Sequence, residues 1–229
     1  MKTTTENKFG ILSSLFSMKT FLTLFSLLYA LQSAPAQTQW TQRPSNTAGE
    51  LYGAAFGTNS FVAVGANVSL TSTNGQTWSL FPFTNGVLQK VIFANGTWIA
   101  AVNTTSGKIY TSTNGQAWTL RYTAPSNISG LAYGNGVVVA VGTAGRIHRS
   151  TDNGITWSIA TSPTGYDIGA VAYGNNTFVA IGDGRAALTS ADGLIWTLLP
   201  NSLPAQPGFR TMAYCNGVFV AGANSLTAC

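Results

Sequence analysis

Apolar and polar positions along this chain fall in blocks rather than in strict alternation. Five short runs are almost wholly apolar: F-V-A-V from Phe61, W-I-A-A-V from Trp98, V-V-V-A-V from Val137, F-V-A-I from Phe178 and V-F-V-A from Val218. An apolar stretch ending in an aromatic (Phe56, Phe93, Tyr133, Tyr173 or Tyr214) and a short turn rich in Asn and Gly precede each one. Asn-Gly between two apolar runs supplies the positive-φ residues of a tight hairpin. Runs without alternation predict strands buried on both faces. A shorter strand follows, such as K-I-Y-T from Lys108 or R-I-H-R from Arg146, and it leads into a polar turn that ends in tryptophan.

Those turns read S-T-N-G-Q-T-W from Ser72, S-T-N-G-Q-A-W from Ser112, S-T-D-N-G-I-T-W from Ser150 and S-A-D-G-L-I-W from Ser190. Their tryptophans, Trp78, Trp118, Trp157 and Trp196, recur every 40, 39 and 39 residues. Four short strands in a unit of about 40 residues match one blade of a β-propeller. The predicted fold class is therefore all-β, a propeller of five four-stranded blades. Trp40 opens a fourth strand with no first three before it, and Asn224 to Cys229 aligns with the third strand Val68 to Thr73 with no fourth after it. The N-terminal strand is expected to complete the last blade, which would remove an exposed sheet edge. A truncated larger propeller is the competing reading.

The polar turn resembles the Asp-box (BNR) repeat of sialidases, sortilin-type receptors and photosystem II assembly factors. The resemblance covers nearly all of residues 40–229, through scaffold positions. In it, Ser72, Asn74, Ser112, Asn114, Ser150, Asp152, Ser190 and Asp192 are turn-forming residues. Their side chains bond backbone groups inside the turn, and each tryptophan staples the turn to its own blade. Asp152 and Asp192 are not expected to be catalytic, because Asn74 and Asn114 hold the same place and cannot serve as a base. Sialidases use an arginine triad, a Tyr–Glu pair and an acid/base Asp, and an Arg-Ile-Pro motif precedes their boxes. Here the nearest match is Arg43-Pro44. Outside the boxes, the carboxylates left beyond the leader are Glu50, Asp167 and Asp183, a thin set for glycoside hydrolysis.

Residues 1–36 read as a signal peptide, with Lys19, an apolar run from Phe21 to Leu31 and the small-x-small site Ala34-Pro35-Ala36. Met18-Lys19 is a cleaner start than Met1. The propeller domain is then 37–229, secreted or periplasmic, with no membrane span after cleavage. Charged residues make up 7% and hydrophobic ones 45% of the chain, which excludes disorder. The net charge of +5 falls on removal of the leader, and no nucleic-acid partner is expected. His148, Cys215 and Cys229 are the chain's only histidine and cysteines, so no metal site or cofactor is expected. Cys215 and Cys229 are a candidate disulfide in an exported chain.

Charge is asymmetric between the two ends of the predicted blades. Lys108, Arg146 and Arg185 fall in loops between second and third strands. Arg43, Lys90, Arg121 and Arg210 fall near connections between blades. Glu50, Asp167 and Asp183 oppose them at the same end. Tyr52, Phe81, Phe83, Tyr122 and Tyr166 lie near those loops. The expected function is a non-catalytic binding or scaffold module, and its partner a protein or glycan of anionic character bound by a monomer through Lys108, Arg146, Arg185 and Arg210. The runner-up is a carbohydrate-active protein, lectin-like or a degenerate glycosidase.

Overall fold

The computed structural model describes residues 42–102, 104–199 and 208–223, and every element lies in the unit Arg43–Cys229. The chain there is all-β, built from antiparallel hairpins. β1 (Leu51–Gly57) pairs with β2 (Ser60–Ser72), which pairs with β3 (Ser79–Ala94). β3 continues as the first strand of the next unit, followed by β4 (Thr97–Val102), β5 (Lys108–Ser112) and β6 (Thr119–Thr123). Two further sheets follow. One holds β7 (Ile128–Gly134), β8 (Val137–Gly142), β9 (Ile147–Ser150) and β10 (Ser158–Ala160). The other holds β11 (Ile168–Gly174), β12 (Thr177–Gly182), β13 (Ala187–Ser190) and β14 (Thr197–Leu198). β15 (Phe209–Cys215) and β16 (Val218–Ala223) form the opening hairpin of another unit.

The first unit departs from the sequence expectation. Its second and third strands run together as β2, bent at Asn67 (φ 57), and no loop separates its last strand from the next unit. The segment between, Thr84-Asn85-Gly86, stays extended within β3, with Gly86 at φ 121. The predicted tight hairpins are present: Asn95 and Gly96, Asn135 and Gly136, and Asn216 and Gly217 all have positive φ, as paired-positive hairpin turns require.

Burial on both strand faces has a simple origin. First strands of successive units lie side by side, β1 against β3, β3 against β7, β7 against β11 and β11 against β15. Alternate residues of each second strand then face opposite neighbours. Trp98, Ala100 and Val102 of β4 pack with Val62 and Val64 of the unit before, whereas Ile99 and Ala101 pack with Leu131, Val138 and Ala140 of the unit after. Four core clusters accordingly span neighbouring units, whereas Ala63, Val68, Leu70 and Trp78 pack together within the first. β8 is buried at all six positions. At the ends of the described array the same positions are open: Phe56 on β1 is 58% exposed and Val220 on β16 is 64% exposed.

One contact repeats at the end of three of the first strands. Gly57, Gly134 and Gly174 lie under the rings of Phe93, Tyr173 and Tyr214 from the following unit, and a Cβ at any of them would fall inside the ring. Across the hairpin each aromatic meets the residue after the turn, as in Phe93–Trp98 (centroids 4.7 Å) and Tyr173–Phe178 (4.6 Å). Trp40, the strand around it, Leu226 and Cys229 lie outside the described residues, as does the proposed leader. The Gly134→Val substitution is expected to cost about 1–3 kcal/mol by overpacking against Tyr173. Gly165→Ala, whose Cβ meets nothing within 4 Å, should be near neutral. Urea unfolding of both variants checks the contrast.

Candidate binding face

The four polar turns share one hydrogen-bond plan. The serine hydroxyl accepts from the turn glycine: Gly75 N–H to Ser72 (2.8 Å), Gly115 to Ser112 (2.9 Å), Gly154 to Ser150 (2.9 Å) and Gly193 to Ser190 (2.9 Å). It donates in turn to Asn74, Asn114, Asp152 or Asp192. The Asn or Asp oxygen accepts backbone N–H groups further on. Asn74 Oδ1 takes those of Gln76 and Thr77 at 2.8 and 2.9 Å, and Asp192 Oδ1 takes those of Leu194 and Ile195 at 2.9 and 3.0 Å. Amide and carboxylate thus do the same work as acceptors. For Asp152, burial opposes the charge, but bonds from Thr156, Ser150 and the Ile155 amide outweigh it and lower the carboxyl pKa. For Asp192 the Ile195 and Leu194 amides lower it.

The turns do more than close their own hairpins. Gly115 sits against Val62, Gly154 against Ile99 and Gly193 against Val139, each on the second strand of the preceding unit. Ser69 Oγ donates to Gly115 O across the same junction (3.0 Å). The tryptophans pack within their own units, Trp78 beside Ala63, Val68 and Leu70 and Trp196 near Phe178, and three of them also reach the junction with the unit before: Trp118 joins the cluster of Val62 and Val64, Trp157 that of Ile99, and Trp196 that of Val139. They are unequal in burial. Trp196 is buried, while Trp78, Trp118 and Trp157 are half-buried. Trp157 Nε1 and Trp196 Nε1 donate to Gly154 O (2.9 Å) and Gly193 O (3.0 Å).

His148 lies on β9 as a fully buried residue, deeper than a half-exposed strand position would be. Its Nδ1 is 3.2 Å from the Tyr122 hydroxyl, and Tyr122 stacks on Trp157. Nε2 has no partner among the described residues. Burial, and then the nearby Arg146 guanidinium, hold its pKa down to about 4.

The end of the sheets that carries the predicted basic residues is tied together through backbone. Turns between second and third strands hook onto the residue just before the first strand of the same unit: Ala66 N–H to Glu50 O (2.9 Å), Thr143 to Asn127 O (3.3 Å) and Asp183 to Asp167 O (2.8 Å). Arg146 and Arg185 are exposed in two such turns, and Lys108 is half-buried at the start of β5. Arg210, on β15, is bound by Asp183 at 3.1 Å. Asp167 Oδ1 accepts from Ala144 N–H at 2.8 Å. Arg121 does not belong to this end: its Nε donates to Thr111 Oγ1 on the neighbouring strand (2.9 Å).

Arg146 and Arg185 do not occupy equivalent places. Gly142 N–H bonds Arg146 O and Gly182 N–H bonds Ala186 O, both at 3.0 Å. Arg185 therefore stands where the preceding unit has Gly145, in the same left-handed conformation (φ 59 against 68). Beside it, Thr164, Tyr166, Gly184, Leu198 and Leu199 complete a groove of about 250 Å³. The Tyr166 ring lies over Gly184. Sequence reasoning placed Arg185 and Tyr166 near each other but missed the leucines and the strained backbone. It also missed Arg149, whose Nε donates to Asp192 O of the next unit (2.9 Å). Cys215 is exposed at the end of β15, and its pairing with Cys229 lies outside the described residues. Among the described residues no group of three or more His, Cys, Asp or Glu could hold a metal ion, and no helix is long and apolar enough to cross a membrane.

No family model matches the sequence, and no curated protein matches it. Solved structures do resemble the fold. YCF48 from Cyanidioschyzon merolae is similar at 20% identity and a TM-score of 0.58, over 76% of this chain and 63% of that one. A YCF48 structure bound to D1 peptide is similar at 20% identity and a TM-score of 0.56, over 76% and 61%. A Niastella koreensis GH74 enzyme is similar at 20% identity and a TM-score of 0.53, over 66% and 24%. This chain spans about three fifths of the length of the YCF48 chains. Together with the repeated antiparallel sheets, these likenesses establish a propeller-like all-β fold.

Two outcomes are expected. Asp152→Asn should leave stability nearly unchanged, because Asn74 and Asn114 already fill that role, while Ser150→Ala should cost about 1–3 kcal/mol by stranding the Gly154 amide; thermal melts compare the two. Because His148 is neutral when folded and its pKa is depressed, stability should be full above pH 6.5. It should fall as the pH drops towards 4 and the unfolded state takes up the proton, by about 3 kcal/mol at most. His148→Leu should flatten that window in urea titrations run at pH 7, 5.5 and 4.5.

Proposed function

We propose that this chain is a non-catalytic binding module that holds an extended, acidic protein segment at the end carrying Lys108, Arg146 and Arg185. The observation that carries the reading is Arg185 itself. A residue other than glycine in the left-handed region costs about 1–2 kcal/mol, and the preceding unit uses glycine there. The arginine stays, exposed, beside an apolar groove under Tyr166, Leu198 and Leu199. That pairing suits a carboxylate next to an apolar side chain. Strained residues concentrate where function holds them, and turns on a rigid scaffold are the usual site of binding. Arg210, once counted with the binding residues, is here assigned to the Asp183 ion pair, where it braces β15.

The wider setting forms part of the same proposal. The polar turns are Asp-box repeats, and the chain is an exported monomer, cleaved near residue 36 and secreted or periplasmic. It closes as a five-bladed ring through pairing of the strand around Trp40 with that around Leu226. The exposed face of β1 at one end of the array and of β16 at the other supports closure, since the equivalent faces in every inner unit are covered. A peptide-bound YCF48 shares the fold. Because folds host many functions, that likeness supports a protein partner only by analogy.

The test uses the purified chain and a library of acidic peptides read by fluorescence anisotropy. Binding should weaken with salt, as surface charge is screened over about 8–10 Å. Arg146→Glu should weaken it about tenfold. Arg185→Gly should weaken it as well while raising stability by about 1 kcal/mol, an opposite pair of effects that loss of fold cannot mimic. Peptide binding indifferent to both substitutions would refute the assignment.

A further inference from the structure

The opposite end of the sheets, where the polar turns lie, carries a repeated feature. Hydroxyl-bearing residues stand opposite each other there on the third and fourth strands: Thr71 faces Ser79, Thr111 faces Thr119 and Thr189 faces Thr197. Each pair opens into a groove. The first, about 250 Å³, is lined by Thr71, Thr73, Thr77 and Ser79, with Asn114 and Gln116 from the turn of the next unit. The second, about 300 Å³, holds Thr97, Thr111, Thr113 and Thr119 with Arg121 and Ile155. The third, about 440 Å³, holds Thr177, Thr189 and Thr197 with Asp192 and Ile195. Site volumes for small ligands begin near about 300 Å³, so each groove fits one small ring rather than a large ligand.

The remaining unit breaks the series. Arg149 stands opposite Ser158 where the others have threonine, and its guanidinium crosses to Asp192 O of the following turn. Arg149 thus makes a hydrogen bond that joins two units at the level where the other three carry threonine.

We propose that these hydroxyl-lined grooves bind residues of a neutral, linear oligosaccharide. A hydroxyl both donates and accepts, so paired Ser and Thr side chains, flanked by Asn and Gln amides, match the mixed demand of a sugar's hydroxyls. The first groove has no charged residue in its lining to hold an ion. A repeated ligand laid over repeated grooves gains by linkage between sites. The grooves lie at the other end of the sheets from Arg146 and Arg185, so this site is independent of the peptide face.

The experiment titrates the full chain with cellohexaose and mannohexaose and follows backbone amides by NMR. Saturable shifts are expected at Thr73, Thr77 and Thr113 for at least one sugar. Removing hydroxyls while keeping shape, with Thr71→Val and Thr111→Val together, should weaken binding about fivefold or more. Ser79→Ala with Thr119→Val, at exposed positions, provides the same readout should the first pair disturb the fold. Arg149→Thr, which gives the remaining unit the residue of the other three, should tighten binding or add a site. The proposal fails if neither sugar gives saturable shifts with the wild type and Arg149→Thr. It fails equally if binding survives both hydroxyl deletions, or if it is abolished by Arg146→Glu, which would place the sugar at the opposite end.

Discussion

Most of the core of this fold lies between its units. Each four-stranded sheet has two apolar faces, and both are covered only when neighbouring units press against them. Val62 and Val64 meet Trp98 and Ala100, and Ile99 and Ala101 meet Val138 and Ala140. The second strands carry the burden because they sit inside the sheet and project alternate residues to opposite sides. Area removed from water is the main stabilising quantity, so stability belongs to the junctions. This is the energetic logic of a repeat array, in which neighbour interfaces rather than isolated repeats carry the fold.

The remaining features serve those junctions. Phe93, Tyr173 and Tyr214, each at the end of a first strand, lie on a glycine of the unit before, which lets two backbones approach closely. At the other end of the sheets, the polar turns place Gly115, Gly154 and Gly193 against the preceding second strand. A buried serine hydroxyl and an Asn or Asp acceptor fix the shape of each turn, so the glycine arrives at the right place. The interchange of Asn and Asp follows from that role, since both offer an acceptor oxygen.

The two ends of the sheets differ chemically. One gathers exposed cations on short turns held by backbone bonds to the residue before each first strand. The other presents hydroxyls, amides and the rims of the polar turns. Acidic groups temper the first end: Asp183 engages Arg210 and Asp167 accepts from Ala144. Arg146 and Arg185 stay exposed in these turns, whereas Arg210 is held by Asp183. His148 adds a pH-sensitive element between two units without belonging to either end's surface.

Much of this was written locally in the chain. The 39- and 40-residue period, the Asn-Gly turns and the unbroken apolar runs specify repeated hairpins buried on both faces. The plan of each polar turn is equally local, because its bonds span two to four residues. Tertiary structure alone decided what lies between units, since those contacts join residues about 40 apart that no local pattern pairs. It extended three of the box tryptophans into the junctions with the unit before, buried His148, joined Arg210 to Asp183 and sent Arg149 across to Asp192. It also distinguished Arg185 from Arg146: a one-residue offset within equivalent turns puts one arginine in a glycine's conformation, and only backbone geometry reveals it.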